Sequence, residues 1–199
     1  MIEVEKKFIL NEQDKERLTK DAEFLNERVF TDIYYDTEIF SLTANDKWLR
    51  SREGRFELKL PLHEGIDRLA DQYDELEDQR KIRGVLNLPP NGNLADDLAK
   101  AGYSPFGTGK TTRRKYKKGP FIIDLDVVDF QDFTYELGEI ELMVNEKTEI
   151  EKAIEKIMAF AKTQNLTIAP VRGKIMEYLK RARPGHYQAL VRAGVVKDF

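Results

Sequence analysis

Cysteine is absent from this 199-residue sequence, and histidine occurs only twice, at His63 and His186. The lack of cysteine excludes disulfide bonds, thiolate nucleophiles and thiolate metal ligands. Two histidines that lie far apart in the chain also argue against a histidine-rich zinc site. These absences remove several classes of enzyme and metalloprotein.

Long hydrophobic runs are also missing. No segment approaches the roughly 20 apolar residues that a membrane-spanning helix needs. The N-terminal segment MIEVEKKFIL carries acidic residues where a secretory signal peptide needs an apolar run. The formal net charge is −3 and the isoelectric point is about 5.6, which argues against a general nucleic-acid binder. We therefore expect a cytoplasmic protein with no membrane and no nucleic-acid partner.

Length and composition favour one folded domain. A domain typically has about 150 residues, and hydrophobic residues at 41% suffice for a core in a chain of this size. No internal repeat, low-complexity tract or long linker divides the sequence. We predict a single α+β domain over residues 1–199, with C-terminal helices from about residue 146. Charged residues reach 35% with nearly equal signs, so opposite charges must be interleaved.

Alternating apolar and polar residues predict an antiparallel sheet. The predicted strands are 1–9, 28–36, 47–53, 55–60, 72–78, 110–118, 121–128 and 134–144. Gly54 and the Gly119-Pro120 pair predict hairpin turns. Helical spacing follows the candidate N-cap Asn11 as far as Leu25. Further helices are predicted at 93–101, 150–161, 173–183 and 186–193.

Charged residues recur two positions apart along these strands, so that both members of each pair point to one face of the sheet. The pairs are Glu3 and Glu5, Arg50 and Arg52, Glu57 and Lys59, Glu75 and Glu77, Asp124 and Asp126, and Glu139 and Glu141. The outer face of a half-exposed strand would explain any one pair. Repeated like-charged pairs repel each other and need counter-charges. They favour a closed sheet whose charged face lines a lumen, with helices on its apolar outside.

A charged lumen is costly unless its charges are compensated. A polyphosphate with a divalent metal would satisfy both signs, because arginine and lysine bind phosphate oxygens and carboxylates hold Mg²⁺. Metal and cations would together neutralise the charge that develops when a terminal phosphoryl group is transferred to water. The charge pattern therefore indicates polyphosphate chemistry.

The sequence also resembles a known family. The segment Ile2-Glu3-Val4-Glu5-Lys6-Lys7-Phe8 is similar to the ExExK motif of the CYTH superfamily, the triphosphate tunnel metalloenzymes. Further matching motifs follow in the expected order: Trp48-Leu-Arg-Ser-Arg-Glu-Gly54, Glu57-Leu-Lys59, Ile123-Asp-Leu-Asp126 and Gly138-Glu-Ile-Glu141. The Trp48 segment and the ending from Lys174 to Gln188 resemble the animal members that hydrolyse thiamine triphosphate. The resemblance covers nearly the whole chain.

This resemblance implies an eight-stranded antiparallel closed tunnel barrel with a charged lumen and helices packed outside. It implies Mg²⁺, with Mn²⁺ as a substitute, held by Glu3, Glu5, Glu75, Asp124, Glu139 and Glu141. The triphosphate would be bound by Lys7, Arg50, Arg52, Lys59, Arg113 and Lys174. Catalytic roles would fall to Lys59, Arg52 and Glu141. Trp48 would stack on a thiazolium ring, a cation–π contact, and Tyr73 would meet the pyrimidine end.

Several alternatives stay open at this point. A lone tryptophan on a strand is usually a core or rim residue, and Tyr73 is nearly as well explained as a free tyrosine at the rim. The first hypothesis is a monomeric Mg²⁺-dependent enzyme that converts thiamine triphosphate to thiamine diphosphate and phosphate. The second keeps the chemistry but takes inorganic triphosphate or a nucleoside triphosphate, with an adenylyl cyclase as a weaker version. The third is a polyphosphate-binding module without turnover.

Overall fold

The computed structural model describes residues 2–62 and 70–198, and eight strands within them close into an antiparallel barrel. The strands are β1 (Ile2–Phe8), β2 (Glu23–Asp36), β3 (Trp48–Arg52), β4 (Arg55–Pro61), β5 (Asp71–Leu76), β6 (Ser104–Lys118), β7 (Phe121–Asp129) and β8 (Thr134–Val144). Around the barrel they follow the order β1-β5-β4-β3-β2-β6-β7-β8. The predicted closed α+β barrel is confirmed.

Six α-helices accompany the barrel in the described residues. They are α1 (Glu12–Thr19), α2 (Gln79–Val85), α3 (Leu94–Lys100), α4 (Ile150–Thr163), α5 (Lys174–Ala182) and α6 (Pro184–Arg192). Short 3₁₀ turns occupy Thr43–Asn45 and Lys147–Glu149. None of the helices in the described ranges is both long and apolar enough to cross a membrane.

Helices α1 to α4 cover the apolar outer face of the barrel, as the alternation of the strands predicts. Ile157 of α4 is fully buried in a cluster with Val4 of β1 and Ile140 of β8. On another side, Ile82 of α2 packs in a cluster with Leu58 of β4. Because alternate residues of these strands point outward into the helices, the intervening charged residues point into the lumen.

The β3–β4 hairpin turns through two residues with left-handed backbone conformation, Glu53 at φ 50° and Gly54 at φ 80°. Positive φ at both central positions matches the right-handed twist of the two strands. The predicted turn at Gly54 is therefore confirmed. It fixes the register in which Trp48 lies opposite Lys59, and Arg50 opposite Glu57.

Three sequence-based boundaries differ from the structure by more than two residues. Helix α1 ends at Thr19, because Asp21 adopts a left-handed conformation with φ 58°, so Leu25 belongs to β2 and not to the helix. Strand β2 begins at Glu23, not 28, and β6 begins at Ser104, not 110. These two strands pair with each other along almost their whole length. Because of this pairing, both strands continue through segments in which apolar and polar residues alternate only weakly.

Helix α2 was not predicted. It has only seven residues, includes Gly84, and offers too few apolar positions for a helical stripe. An Asp78 side chain caps its first turn by accepting a hydrogen bond from the backbone amide of Arg80. His63 lies outside the described residues, and His186 lies in α6.

Candidate active site

The lumen has an acidic wall and a basic wall on opposite sides of the barrel. Strands β7, β8 and β1 are consecutive in the closed order, and they carry the acidic pairs that end in Asp126, Glu141 and Glu5. Strands β4, β3 and β2 lie across the ring from them, and β3 presents Arg50 and Arg52. The arrangement places carboxylates and guanidinium groups across a shared space.

That space is a cavity of about 580 Å³. Of the residues predicted for the site, those that line it are Glu3, Glu5, Lys7, Trp48, Arg50, Arg52, Lys59, Tyr73, Glu75, Arg113, Glu139, Glu141 and Lys174. Asp124 is fully buried behind this lining, in an ion pair with Arg113. The structure thus brings all fourteen residues together from seven strands and one helix.

Two groups of acids could hold a cation, and Glu141 belongs to both. One consists of Glu3, Glu5 and Glu141, and the other of Asp124, Glu139 and Glu141. Within each group, one carboxylate oxygen from each residue lies within 4.8 Å of those of the other two. An all-carboxylate set of donors suits a hard, oxygen-preferring cation such as Mg²⁺ or Mn²⁺. The residues present therefore fit a divalent metal.

The proton affinities of these acids differ in a way that follows their surroundings. Burial, with Asp124 and Glu3 nearby, raises the pKa of Glu141 to about 9. Burial also raises the pKa of Glu5 despite the neighbouring Lys7. Burial acts on Glu139 in the same direction, but Lys174 and Arg113 outweigh it and hold the pKa of Glu139 well below its usual range. Negative charge is therefore least compensated around Glu141.

Three basic residues bridge the acidic wall from the adjoining strand β6 and from α5. Arg113 donates to Asp126 and Glu139 at 2.7 Å each. Lys115 Nζ lies 2.9 Å from Asp124 Oδ2, and Lys174 Nζ lies 2.6 Å from Asp126 Oδ2. Burial lowers the pKa of Arg113, but Glu139 and Asp126 raise it well above its usual value. The Arg113 guanidinium is therefore a fixed positive charge beside the acidic wall.

The two arginines of the basic wall are held by carboxylates on the neighbouring strands β2 and β4. Arg52 binds Asp32 through two parallel hydrogen bonds, Nε to Oδ1 at 2.7 Å and Nη2 to Oδ2 at 2.9 Å. Arg50 pairs with Glu57, and its Nη1 lies 3.8 Å from Asp32. Among the described residues, the buried Arg50 Nε has no hydrogen-bond acceptor. An anion in the lumen would supply one.

Two lysines stand between the walls. Lys59 of β4 forms ion pairs with Glu75 and, at 3.4 Å, with Glu3. Lys7 of β1 forms ion pairs with Glu5 and, at 2.6 Å, with Asp71. Burial lowers the pKa of both lysines, but the neighbouring carboxylates raise both above the usual range. Each ammonium group is therefore a fixed positive charge.

An aromatic cluster adjoins this charged region. Trp48 and Tyr73 are 7% and 8% exposed, and both line the cavity with Tyr34 and the start of α5. Trp48 shares its strand and its parity with Arg50 and Arg52, as the spacing predicts. The cavity therefore has a charged portion and an aromatic portion, which suits a ligand with an anionic end and an aromatic end.

Comparisons with known proteins agree with this geometry. A model of the CYTH domain matches residues 1–167. The chain belongs to the CYTH family.

Two curated relatives match the CYTH chain over nearly its full length. The thiamine-triphosphatase of Macaca fascicularis is 33% identical over 216 residues, which cover 100% of this chain and 93% of that protein. The thiamine-triphosphatase of Homo sapiens is 35% identical over 212 residues, which cover 96% of this chain and 90% of that protein. The family and these relatives support the prediction of a triphosphatase hydrolase.

A solved structure supports the CYTH fold alone. A protein of Pyrococcus horikoshii superposes with a TM-score of 0.67 at 24% identity, covering 90% of this chain and 99% of that one. At this identity the likeness bears on the architecture and not on the reaction.

Some residues of this CYTH site were missed by the sequence analysis. Asp32 orients Arg52, and Lys115 contacts Asp124. Glu57, which pairs with Arg50, was predicted to lie on the charged face but was given no role there. Lys115 shares the parity of Arg113, so the β6 spacing held a signal for it. Asp32 had no charged partner two positions away, because Phe30 and Tyr34, its neighbours on the same face of β2, are uncharged. Lys174, in contrast, was predicted, but only from the resemblance to the family and not from its spacing.

Proposed function

We propose that this chain is a Mg²⁺-dependent triphosphatase that hydrolyses the terminal phosphate of thiamine triphosphate to give thiamine diphosphate and phosphate. The observation that carries the proposal is the acidic wall facing a basic wall beside a pair of buried aromatic rings. Mn²⁺ has the same preference for oxygen ligands and would substitute for Mg²⁺.

The balance of charge in the lumen supports a metal-bound polyphosphate. Among the described residues that line the cavity, eight are acidic and nine are basic. A triphosphate adds several negative charges to this nearly neutral lining, and buried uncompensated charge is strongly unfavourable. The acid groups around Glu141 would hold the divalent cation. A bound cation would neutralise phosphate oxygens and the charge that develops during transfer to water.

The basic residues bind and orient the triphosphate. Arg50 has an open buried donor, Nε, and Arg52 is fixed by its two bonds to Asp32. Such preorganised donors lower the entropic cost of aligning the phosphate chain. Lys59 keeps its positive charge beside Glu75 and Glu3 and can follow the phosphate oxygens as they gain charge. Lys7, Arg113 and Lys174 complete the positive surroundings.

The aromatic portion supports thiamine as the other end of the substrate. Thiazolium is a permanently cationic aromatic ring, and a tryptophan face is the best cation–π partner among side chains. Trp48 lies beside the basic wall, so a ring joined to the phosphate chain would reach it. The two curated relatives, named thiamine-triphosphatases, point to the same substrate.

Replacing Trp48 with alanine tests the substrate. Loss of the cation–π contact, worth about 2 kcal/mol in a desolvated site, should raise KM for thiamine triphosphate roughly thirtyfold. Inorganic triphosphate has no ring, so its KM should change little. Trp48→Phe keeps an aromatic face and should give an intermediate KM. Steady-state phosphate release with both substrates measures each value.

The control for this experiment is Phe24→Ala. Phe24 is an aromatic residue of β2 that is 55% exposed and lies outside the cavity lining. It should leave both KM values unchanged. Equal increases in KM for the two substrates in Trp48→Ala would mean that Trp48 has only a structural role at the rim. Inorganic triphosphate would then be the favoured substrate.

A further inference from the structure

The two aromatic rings of the cavity share one hydrogen-bond partner. Asp46 Oδ1 accepts a bond of 2.8 Å from Trp48 Nε1 and a bond of 2.9 Å from the Tyr73 hydroxyl. Trp48 begins β3, and Tyr73 lies in β5, so one carboxylate oxygen ties together two strands that are not adjacent. Asp46 is not among the described residues that line the cavity.

The backbone holds Asp46 in a conformation that few residues tolerate. Its φ of 55° and ψ of 28° place it in the left-handed region, where Asp, Asn and Gly are the favoured residues. The Asp46 amide donates to the Thr43 carbonyl at 3.0 Å, and the Lys47 amide donates to the Leu42 carbonyl at 3.0 Å. The turn is thus closed by its own hydrogen bonds, and it aims the carboxylate at Trp48 and Tyr73.

The same turn is anchored from behind. Asp36 is 2% exposed and accepts hydrogen bonds from the Leu42 amide at 2.9 Å, the Thr43 amide at 2.8 Å and the Thr43 hydroxyl at 2.6 Å. Because the Thr43 hydroxyl proton goes to Asp36, the contact of 2.7 Å with His186 is a bond donated by His186 Nε2. The turn that carries Asp46 is therefore tied to β2 and to α6.

We propose that Asp46 is a positioning residue that sets the preference for thiamine triphosphate over inorganic triphosphate by fixing Trp48 and Tyr73. This inference rests on the proposed function. A cation–π contact requires the cation over the ring face within about 6 Å, so a ring that swings loses the contact. An indole N–H that donates to a carboxylate also makes the ring richer in electrons, which strengthens its attraction for a cation. Charge-assisted bonds of this kind are about twice as strong as neutral ones.

Two substitutions at Asp46 distinguish the effect of its side-chain hydrogen bonds from the effect of its left-handed backbone conformation. Asp46→Gly keeps the left-handed turn and removes the acceptor, whereas Asp46→Asn keeps both the turn and an acceptor oxygen. In the glycine variant, kcat/KM for thiamine triphosphate should fall about tenfold through KM, and kcat/KM for inorganic triphosphate should stay within about twofold. The asparagine variant keeps a neutral acceptor and should lose clearly less of the preference than the glycine variant. Asp21→Gly, an exchange at an exposed left-handed aspartate, is the matched control.

Fluorescence gives an independent reading, because Trp48 is the only tryptophan in the sequence. Asp46→Gly should make Trp48 emission more accessible to acrylamide quenching, and Asp46→Asn should not. Tyr73→Phe removes the hydroxyl that donates to Asp46 and should lower the preference for thiamine triphosphate by a smaller factor. If the glycine variant does not fold, Tyr73→Phe still tests the hydrogen bond between the Tyr73 hydroxyl and Asp46.

The outcomes distinguish this inference from the proposed function. A wild-type enzyme that prefers thiamine triphosphate, with a preference retained in both Asp46→Gly and Tyr73→Phe, would overturn the role of Asp46 alone. An asparagine variant as impaired as the glycine variant would also overturn it, because an acceptor at the right place would then be insufficient. A wild-type enzyme with no preference would overturn the proposed substrate and this inference with it.

Discussion

Glu141→Gln is expected to lower kcat/KM about a thousandfold, which corresponds to about 4 kcal/mol of lost transition-state stabilisation. Glu141 is the acid shared by the two groups that could hold a metal, so its loss weakens both. Glutamine has nearly the same shape and carries no charge. Because burial and the neighbouring Asp124 and Glu3 already favour the neutral, protonated form of Glu141, a neutral amide in its place should leave the barrel folded.

Thermal unfolding separates the loss of activity from a loss of fold. Added Mg²⁺ should raise the Tm of the wild-type protein, because a ligand that binds only the folded state stabilises it. The Glu141→Gln protein should unfold cooperatively and should show a much smaller rise with Mg²⁺. Glu136→Gln is the matched control, since Glu136 lies on the same strand and forms a surface ion pair of 2.8 Å with Lys15. Full activity in Glu141→Gln would contradict the metal assignment.

Arg52→Ala is expected to lower kcat/KM about a hundredfold, or about 2.7 kcal/mol, because charge-assisted bonds from a fixed guanidinium to phosphate oxygens are lost. Arg52 lines the cavity, and its bonds to Asp32 hold its planar group in place. The loss should appear for thiamine triphosphate and inorganic triphosphate alike, since both carry the same phosphate chain. This behaviour contrasts with that expected for Trp48→Ala.

The folded state of the Arg52 variants needs its own check. Removing Arg52 leaves the buried Asp32 facing Arg50 at 3.8 Å, so some stability should be lost. Arg52→Lys keeps the charge but not the paired geometry and should retain more stability than activity. Arg55→Ala removes an exposed arginine from the same hairpin and should behave as wild type. An Arg52→Ala enzyme with normal kcat/KM would contradict a triphosphate site in the lumen.

The barrel and much of the site were predictable because charge and strand periodicity coincide. Pairs such as Glu139 and Glu141 lie two residues apart, with buried Ile140 between them on the opposite face. A strand with this pattern has a definite inside and outside. When several strands repeat the pattern with like charges, closure around a shared lumen is the arrangement that compensates them.

Residues that act singly or from turns were not predictable in this way. The residues two positions before and after Asp32 are Phe30 and Tyr34, so Asp32 belongs to no charged pair that the sequence could show. Asp46 follows a short 3₁₀ turn, and its contact with Tyr73 joins positions 27 residues apart. Lys174 opens a helix, where a solvated lysine is the ordinary expectation, and only tertiary packing brings it within 2.6 Å of Asp126. Contacts of this kind depend on the folded arrangement and leave no local pattern.

The most direct test of the account is phosphate release in the presence of Mg²⁺, with kcat/KM compared for thiamine triphosphate, inorganic triphosphate and ATP. We expect metal-dependent turnover with a preference for thiamine triphosphate of about a hundredfold, or about 2.7 kcal/mol of binding energy at the aromatic end. Tight triphosphate binding with no phosphate release in Mg²⁺ or Mn²⁺ would contradict the account and would indicate a polyphosphate-binding module.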